Sequence, residues 1–252
     1  LSERARSLYR RTFGTDPPPY SPPPATAAVR EEPETPAPRA SGDPTRVIYA
    51  PTAFTRPRGK VGFNAFELGT VTVDFGVTDH LELGAQTAIP IAFVTVGGVI
   101  KAGVPFEGGA VAIRGNVLLI RPLGSETEVV AVYGAGPMLT LGDYADYLNL
   151  GMQVYGLSVD GETESLGLPN LGGSVRVSGA TRLSAELYIP TGLRQDAEPP
   201  LARFGLILWG VRLFGEHVWG DIALADPICD GCSDLYELIP LGIPLLNIGG
   251  AW

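Results

Sequence analysis

Ten charged residues fall on one side of runs in which apolar and polar side chains alternate: Glu67, Asp74, Glu82, Lys101, Arg114, Arg176, Arg182, Glu186, Arg212 and Asp221. Five are acids and five are bases. Gathered on one enclosed face, such groups either line a polar passage and tune what crosses it, or interlock as ion pairs and fill the space. Two histidines, His80 and His217, follow Asp79 and Glu216. A general base must lie within hydrogen-bond reach of its nucleophile, and no serine occupies a matching position, so the chain reads as a non-enzyme. Cys229 and Cys232 stand in the run Cys-Asp-Gly-Cys. A redox pair of this spacing opens a helix in a strand–helix–strand setting, and zinc needs further ligands. Neither context is visible, so the pair reads as a local disulfide, with no metal and no cofactor expected. There is no P-loop, dinucleotide glycine motif or Asp-rich calcium loop. Asp143, Asp146, Asp160, Glu162 and Glu164 make the intervening loops acidic. They read as solvated, with weak cation binding as the alternative.

The elements that would carry these residues are strands. The chain has 252 residues, 33 Gly and 23 Pro, a composition that disfavours a helical bundle. Charged residues make up only 18% against 45% hydrophobic, and the net charge of -9 argues against nucleic acid as a partner. No run of roughly 20 apolar residues suggests a spanning helix. The chain begins with Leu1, as it would after removal of a signal peptide or in a shortened chain.

Residues 1–46 differ from the rest, holding 10 of the 23 prolines with seven basic and six acidic residues. Gly14 to Pro44 reads as an extended Pro/Ala/Thr/Glu linker, preceded by a short basic segment, Ser2 to Phe13. From Val47 the pattern has period 2. Val71, Val73, Phe75 and Val77 share a face, as do Leu183, Ala185, Leu187 and Ile189, and Ile207, Trp209, Val211 and Leu213. Twelve strands are expected, roughly 60–68, 71–78, 81–89, 93–104, 108–120, 128–139, 150–157, 171–178, 182–190, 202–214, 217–225 and 238–250. Tight turns at Asp79-His80, Pro105 to Glu107, Gly179 to Thr181 and Gly215-Glu216 alternate with longer connections, Ser158 to Asn170 among them, and only residues 139–149 break the alternation.

A soluble sandwich also alternates, but its outer face carries many charges. Here the polar face holds Gly, Ser, Thr and Asn with about one charge per strand. The pattern therefore predicts an all-β, antiparallel, up-and-down transmembrane barrel over residues 47–252, apolar outward and polar within, behind a Pro-rich tail over 1–46. Gly76, Gly84, Gly103 and Gly210 lie on the inner face, where curvature is needed. Short turns and long loops at opposite ends put both termini of an even-stranded barrel on the periplasmic side.

The segment from Pro51-Thr52 through Gly59 to Phe75-Gly76-Val77-Thr78-Asp79 and Gly84 resembles the opening of a broad group of uncharacterised, porin-like bacterial outer-membrane barrels. So do residues 182–192, residues 212–227 and the closing Pro240-Leu241-Gly242-Ile243-Pro244. Trp252 resembles the terminal aromatic read by barrel-insertion machinery, although the last strand lacks the usual aromatic alternation. The resemblance implies an outer-membrane location, with lipid and lipopolysaccharide as surroundings, and implies no activity.

Two functional expectations follow. One is a structural barrel with a charge-filled lumen, anchoring an envelope assembly. There the tail residues Arg4, Arg6, Arg10 and Arg11 meet an acidic partner surface and Leu8, Tyr9 and Phe13 serve as apolar anchors. The other is a narrow channel for small solutes. Inside the lumen, Arg114, Arg182 or Arg212 is expected to pair with Glu82, Glu186 or Asp74, because an unpaired enclosed charge is costly.

Overall fold

The computed structural model describes residues 3–16, 44–66, 70–88, 93–122, 129–159, 162–192, 205–228 and 242–252. It divides into two units, residues 1–38 and 39–252.

The first unit contains one helix, α1, Glu3–Phe13. At 100° per residue Leu8, Thr12, Tyr9 and Phe13 form one sector and Arg6, Arg10, Arg11 and Arg4 the other, so the helix is amphipathic and basic. Tyr9 and Phe13, one turn apart, bring their rings to 4.8 Å. The helix stops at Gly14, whose φ of 69° lies in the left-handed region, and the Gly14 amide donates to the Arg10 carbonyl at 2.9 Å.

The second unit is a closed barrel of twelve antiparallel strands, each hydrogen-bonded to its neighbours in the chain. They are β1 Val61–Phe66, β2 Thr70–Thr78, β3 Leu81–Ala88, β4 Phe93–Phe106, β5 Gly109–Pro122, β6 Val130–Gly142, β7 Tyr147–Val159, β8 Glu162–Ser178, β9 Thr181–Tyr188, β10 Gly205–Phe214, β11 Val218–Ile228 and β12 Ile243–Ala251. β1 closes on β12, and beyond the last strand Val61 and Trp252 exchange both backbone bonds at 2.9 Å. Closure leaves no strand edge to satisfy, as a wall in lipid requires. Two expectations need correction. The stretch 158–170 is not a long loop: all of it but residues 160–161 belongs to the long β7–β8 hairpin. The break in the alternation at 139–149 also disappears, since β6 and β7 run into a tight turn at 143–146.

The apolar faces point outward. Val73, Phe75, Leu83, Val96, Ile100, Ile113, Leu183, Trp209, Ile222 and Ile248 are all exposed, while Thr72, Asp74, Glu82, Lys101, Arg182, Glu186, Arg212 and Asp221 are buried within. That arrangement is the reverse of a soluble domain and excludes the sandwich. Exposed Phe63, Phe75, Phe106 and Trp252 lie toward the tight-turn end, where an aromatic girdle belongs. No described helix is long and apolar enough to cross a membrane; the strands do so. An even-stranded closed barrel with this polarity has the build of the outer-membrane type.

The lipid face yields a direct expectation. Ile222, mid-strand in β11 and 61% exposed, should tolerate Arg at a cost of about 2–4 kcal/mol, whereas Val218→Arg at the strand end should cost about 0–1 kcal/mol. Urea titration of folding into lipid vesicles measures both, and equal costs would refute the assigned membrane depth.

Candidate functional site in the barrel lumen

The lumen is occupied at the tight-turn end by the chain itself. Residues 44–58, immediately before β1, fold back inside the wall. Thr45, Val47, Ile48, Ala50, Thr52, Ala53, Phe54 and Arg56 are all buried. The segment starts as a miniature hairpin: Arg46 bridges Pro51, Val47 donates to the Ala50 carbonyl at 3.0 Å and Thr52 to the Thr45 carbonyl at 2.8 Å. Most of its remaining polar backbone is taken up by the wall. One oxygen of Glu186 on β9 accepts the amides of Ile48, Tyr49 and Ala50 at 2.5, 2.8 and 2.9 Å. Successive amides converging on one anion form the concave cradle known from anion-binding turns. Arg212 on β10 donates to the carbonyls of Arg46 and Val47 at 3.3 and 2.6 Å. Tyr147 and Asn149 on β7 donate to the carbonyls of Arg46 and Pro51 at 2.9 and 3.1 Å. Thr140 on β6 accepts from the Ala53 amide at 2.7 Å and Glu82 on β3 from the Arg56 amide at 2.8 Å.

The segment also supplies a hydrophobic core that an inverted barrel lacks. Val47, Ile48, Ala50, Ala53 and Phe54 pack with Ala110, Met138, Tyr147, Tyr188, Leu208, Ala223, Ala225 and Leu245. Wall glycines make room for it. A Cβ at Gly62 would lie 2.0 Å from the Arg56 guanidinium, one at Gly76 2.1 Å from the Pro57 carbonyl oxygen, and one at Gly103 2.9 Å from that of Ala53. At Gly76 and Gly103, assigned to curvature on sequence grounds, close approach of the inner segment is a sufficient reason for glycine.

The pairing of the enclosed charges differs from that expected. Arg212 grips Asp221, directly opposite in register, with Nε and Nη2 at 2.6 and 2.9 Å, and Asn247 adds a bond to the same carboxylate at 2.8 Å. Glu82 pairs with Lys101 at 3.2 Å, again directly opposite. Asp74 takes Arg46 of the inner segment at 3.3 Å, and Glu186 takes the amides. Cross-strand register and the inner segment decide the partners, and neither was available from alternation alone. Arg176, Arg182 and Arg212 stand side by side on β8, β9 and β10. Aromatic faces stand beside each of them: Phe214 lies 5.3 Å from the Arg176 guanidinium, Tyr147 5.4 Å from that of Arg182, and Trp219 5.9 Å from that of Arg212. Arg182 also donates to the Tyr144 carbonyl. Arg114 on β5 is half-buried and faces a cavity described below.

Glu67, Cys229 and Cys232 lie outside the described residues. His80 and His217 are exposed in separate turns. Arg4, Arg6, Arg10, Arg11, Leu8 and Phe13 are exposed on α1, and Tyr9 partly so. In the β6–β7 turn the amides of Asp146 and Ala145 donate to Asp143 and hold its carboxyl below the usual range. Among the described residues no cluster of His, Cys, Asp and Glu could hold a metal.

Beyond the inner hairpin, toward the long-loop end, the lumen opens into a cavity of about 690 Å³. Arg46, Tyr49 and Pro51 border it on the hairpin side, and Arg114, Gln153 and Tyr155 reach into it from the wall. Higher on the wall stand Leu118, Val132, Leu157, Leu166 and Leu168. Sequence alternation missed Leu118 because β5 reads apolar on both faces, in the run Val117-Leu118-Leu119-Ile120.

No protein-family model and no curated protein sequence matches the chain. Among solved structures it is similar to the translocator domain of the autotransporter NalP from Neisseria meningitidis, with 12% identity over 77% of this chain and 85% of that one and a TM-score of 0.38. It is also similar to the Acinetobacter baumannii outer membrane protein Omp33, with 8% identity over 77% of this chain and 95% of that one and a TM-score of 0.38.

Removing the Glu186 acceptor should loosen the inner hairpin. Glu186→Leu is expected to cost about 3–5 kcal/mol in local stability, the range for breaking an enclosed charge interaction. In a background with both native cysteines changed to Ser, Ala50→Cys should react slowly with a bulky maleimide and at least ~10-fold faster once Glu186→Leu is added. Equal labelling rates would show that the cradle does not hold the segment.

Proposed function

We propose that this barrel is a closed anchor. It holds its own N-terminal arm at the outer membrane and, through that arm, a cell-envelope assembly. The observation that carries this reading is the inner segment 44–58, bonded to side chains from β3, β6, β7, β9 and β10. Anything attached upstream of residue 44 is thereby attached to the wall. A passage for solutes would be obstructed at this end by the same segment.

On this reading the tight-turn end faces the periplasm, and outer-membrane lipid and lipopolysaccharide contact only the exterior. The arm's recognition element is α1. Arg4, Arg6, Arg10 and Arg11 meet an acidic protein surface, with Leu8, Tyr9 and Phe13 as apolar anchors. Contacts of this kind weaken with salt, because exposed charges are screened over about 8–10 Å at physiological ionic strength. The protein carries out no chemistry of its own.

The second reading, a narrow channel, is favoured by the cavity on the far side of the hairpin. It requires the inner segment to leave. Planar-bilayer recording separates the two. The full chain should give no current steps in concentrated salt, while a chain lacking residues 1–58 should conduct. Steady porin-like current from the full chain would establish the channel reading instead. Removal of residues 1–43 should leave the barrel folded and closed but release co-purifying envelope proteins; their retention would refute the role of the arm.

A further inference from the structure

We propose that the upper lumen is a binding site for an amphiphilic carboxylate, a fatty-acid-like anion that enters from the long-loop end and sets its head group on Arg114. Three observations converge on it.

The first is the state of Arg114. Three cations near the inner hairpin have carboxylate partners: Lys101 has Glu82, Arg46 has Asp74 and Arg212 has Asp221. Arg114 lies directly across from Lys101 in register, yet among the described residues it has no carboxylate within ion-pair distance. Tyr155 lines the same cavity beside it. A guanidinium presents two parallel N–H groups that match a carboxylate in bidentate fashion.

The second is a set of unanswered amides around it. Gln153 is 3% exposed, lines the cavity, and among the described residues has no partner for either its Oε1 or its Nε2. Asn64, 5% exposed, and Asn116 also line the cavity; their Oδ1 atoms, unpartnered among the described residues, are acceptors, so in this set the Gln153 Nε2 is the donor that an anion can take. Enclosed polar groups are normally satisfied, and each exception calls for a reason. The wall is shaped to gather these groups. Arg114 and Asn116 on β5 face Gly136 and Gly134 on β6, and Gly134 in turn faces Tyr155 on β7. A Cβ at Gly134 would stand 2.6 Å from the Tyr155 ring and 2.9 Å from Asn116 Oδ1. The two glycines leave a hollow over which side chains from both neighbouring strands meet.

The third is the polarity gradient. Above this polar floor the walls carry Leu118, Val132, Leu157, Leu166 and Leu168, with Glu164 and Ser165 also lining the cavity. A sugar or free phosphate would leave that surface unmatched. A phosphate dianion would also call on a second cation, and Arg46 already serves Asp74. One uncommitted guanidinium beneath apolar walls fits a single planar negative charge on an apolar body. A volume of about 690 Å³ lies within the 300–1,000 Å³ typical of small-molecule sites.

The test uses the full chain in lipid nanodiscs, which avoids competition from detergent, and carboxyl-13C-labelled decanoate observed by NMR. A saturable bound resonance at one per chain is expected. Arg114→Met should weaken binding at least ~10-fold, and Leu166→Glu, near the mouth, should do so independently while leaving the floor intact. Heat-modifiable gel migration verifies that each variant is folded. Decanol should not compete, because it lacks the charge, and acetate should not compete, because it lacks the apolar body. Absence of a saturable site, binding unchanged in both folded variants, or equal competition by decanol or acetate would each overturn the proposal.

Discussion

The carboxylate of Glu186, holding three consecutive amides of a buried hairpin, is the contact on which the interior of this barrel depends. A chain segment placed inside a lumen brings polar backbone that no sheet ladder can satisfy. Here it is satisfied by side chains of the wall, with Glu186 and Arg212 taking amides and carbonyls from opposite sides of the turn. Remove those acceptors and donors, and the segment would lie in the lumen with its amides and carbonyls unsatisfied.

The constraint explains features that are otherwise unrelated. A transmembrane barrel turns its apolar residues to lipid and so gives up its own core. This one regains a small core by importing Val47, Ile48, Ala53 and Phe54. The import demands space, met by Gly62, Gly76 and Gly103 in the wall. It also redistributes charge. Asp74 and Glu82 both interact with the segment, through Arg46 and through the Arg56 amide, so the wall acids serve the inner chain as much as one another. The same hairpin borders the outward-facing cavity, so closure at one end and a shaped cup at the other have a common cause.

The barrel was legible in the sequence because period-2 alternation survives in β2, β3, β9 and β10, where one face meets lipid and the other meets polar atoms. Twelve strands could be read from that alternation, and of the charges read as inward Asp74, Glu82, Lys101, Arg182, Glu186, Arg212 and Asp221 are buried. The first half of β8 was misread because Gly167 and Pro169 carry the marks of a loop, although in a hairpin held on both sides the ladder outweighs local propensity. The inner segment was not legible at all. Thr45 to Thr52 is too short to show a period, and what places it inside is spread over distant strands, in Glu82, Thr140, Asn149, Glu186 and Arg212.

The central claim, that residues 44–58 occupy the lumen of the folded barrel, is tested most directly by a cross-link between Val47 and Gly172. A Cβ at position 172 would lie 3.3 Å from the Val47 side chain, within the reach of a disulfide. With Cys229 and Cys232 replaced by Ser, Val47→Cys with Gly172→Cys should oxidise to an intramolecular disulfide in the folded, membrane-inserted protein, visible as a mobility shift that reductant reverses. Free, rapidly alkylated thiols at both positions in a folded barrel would place the segment outside and contradict the account.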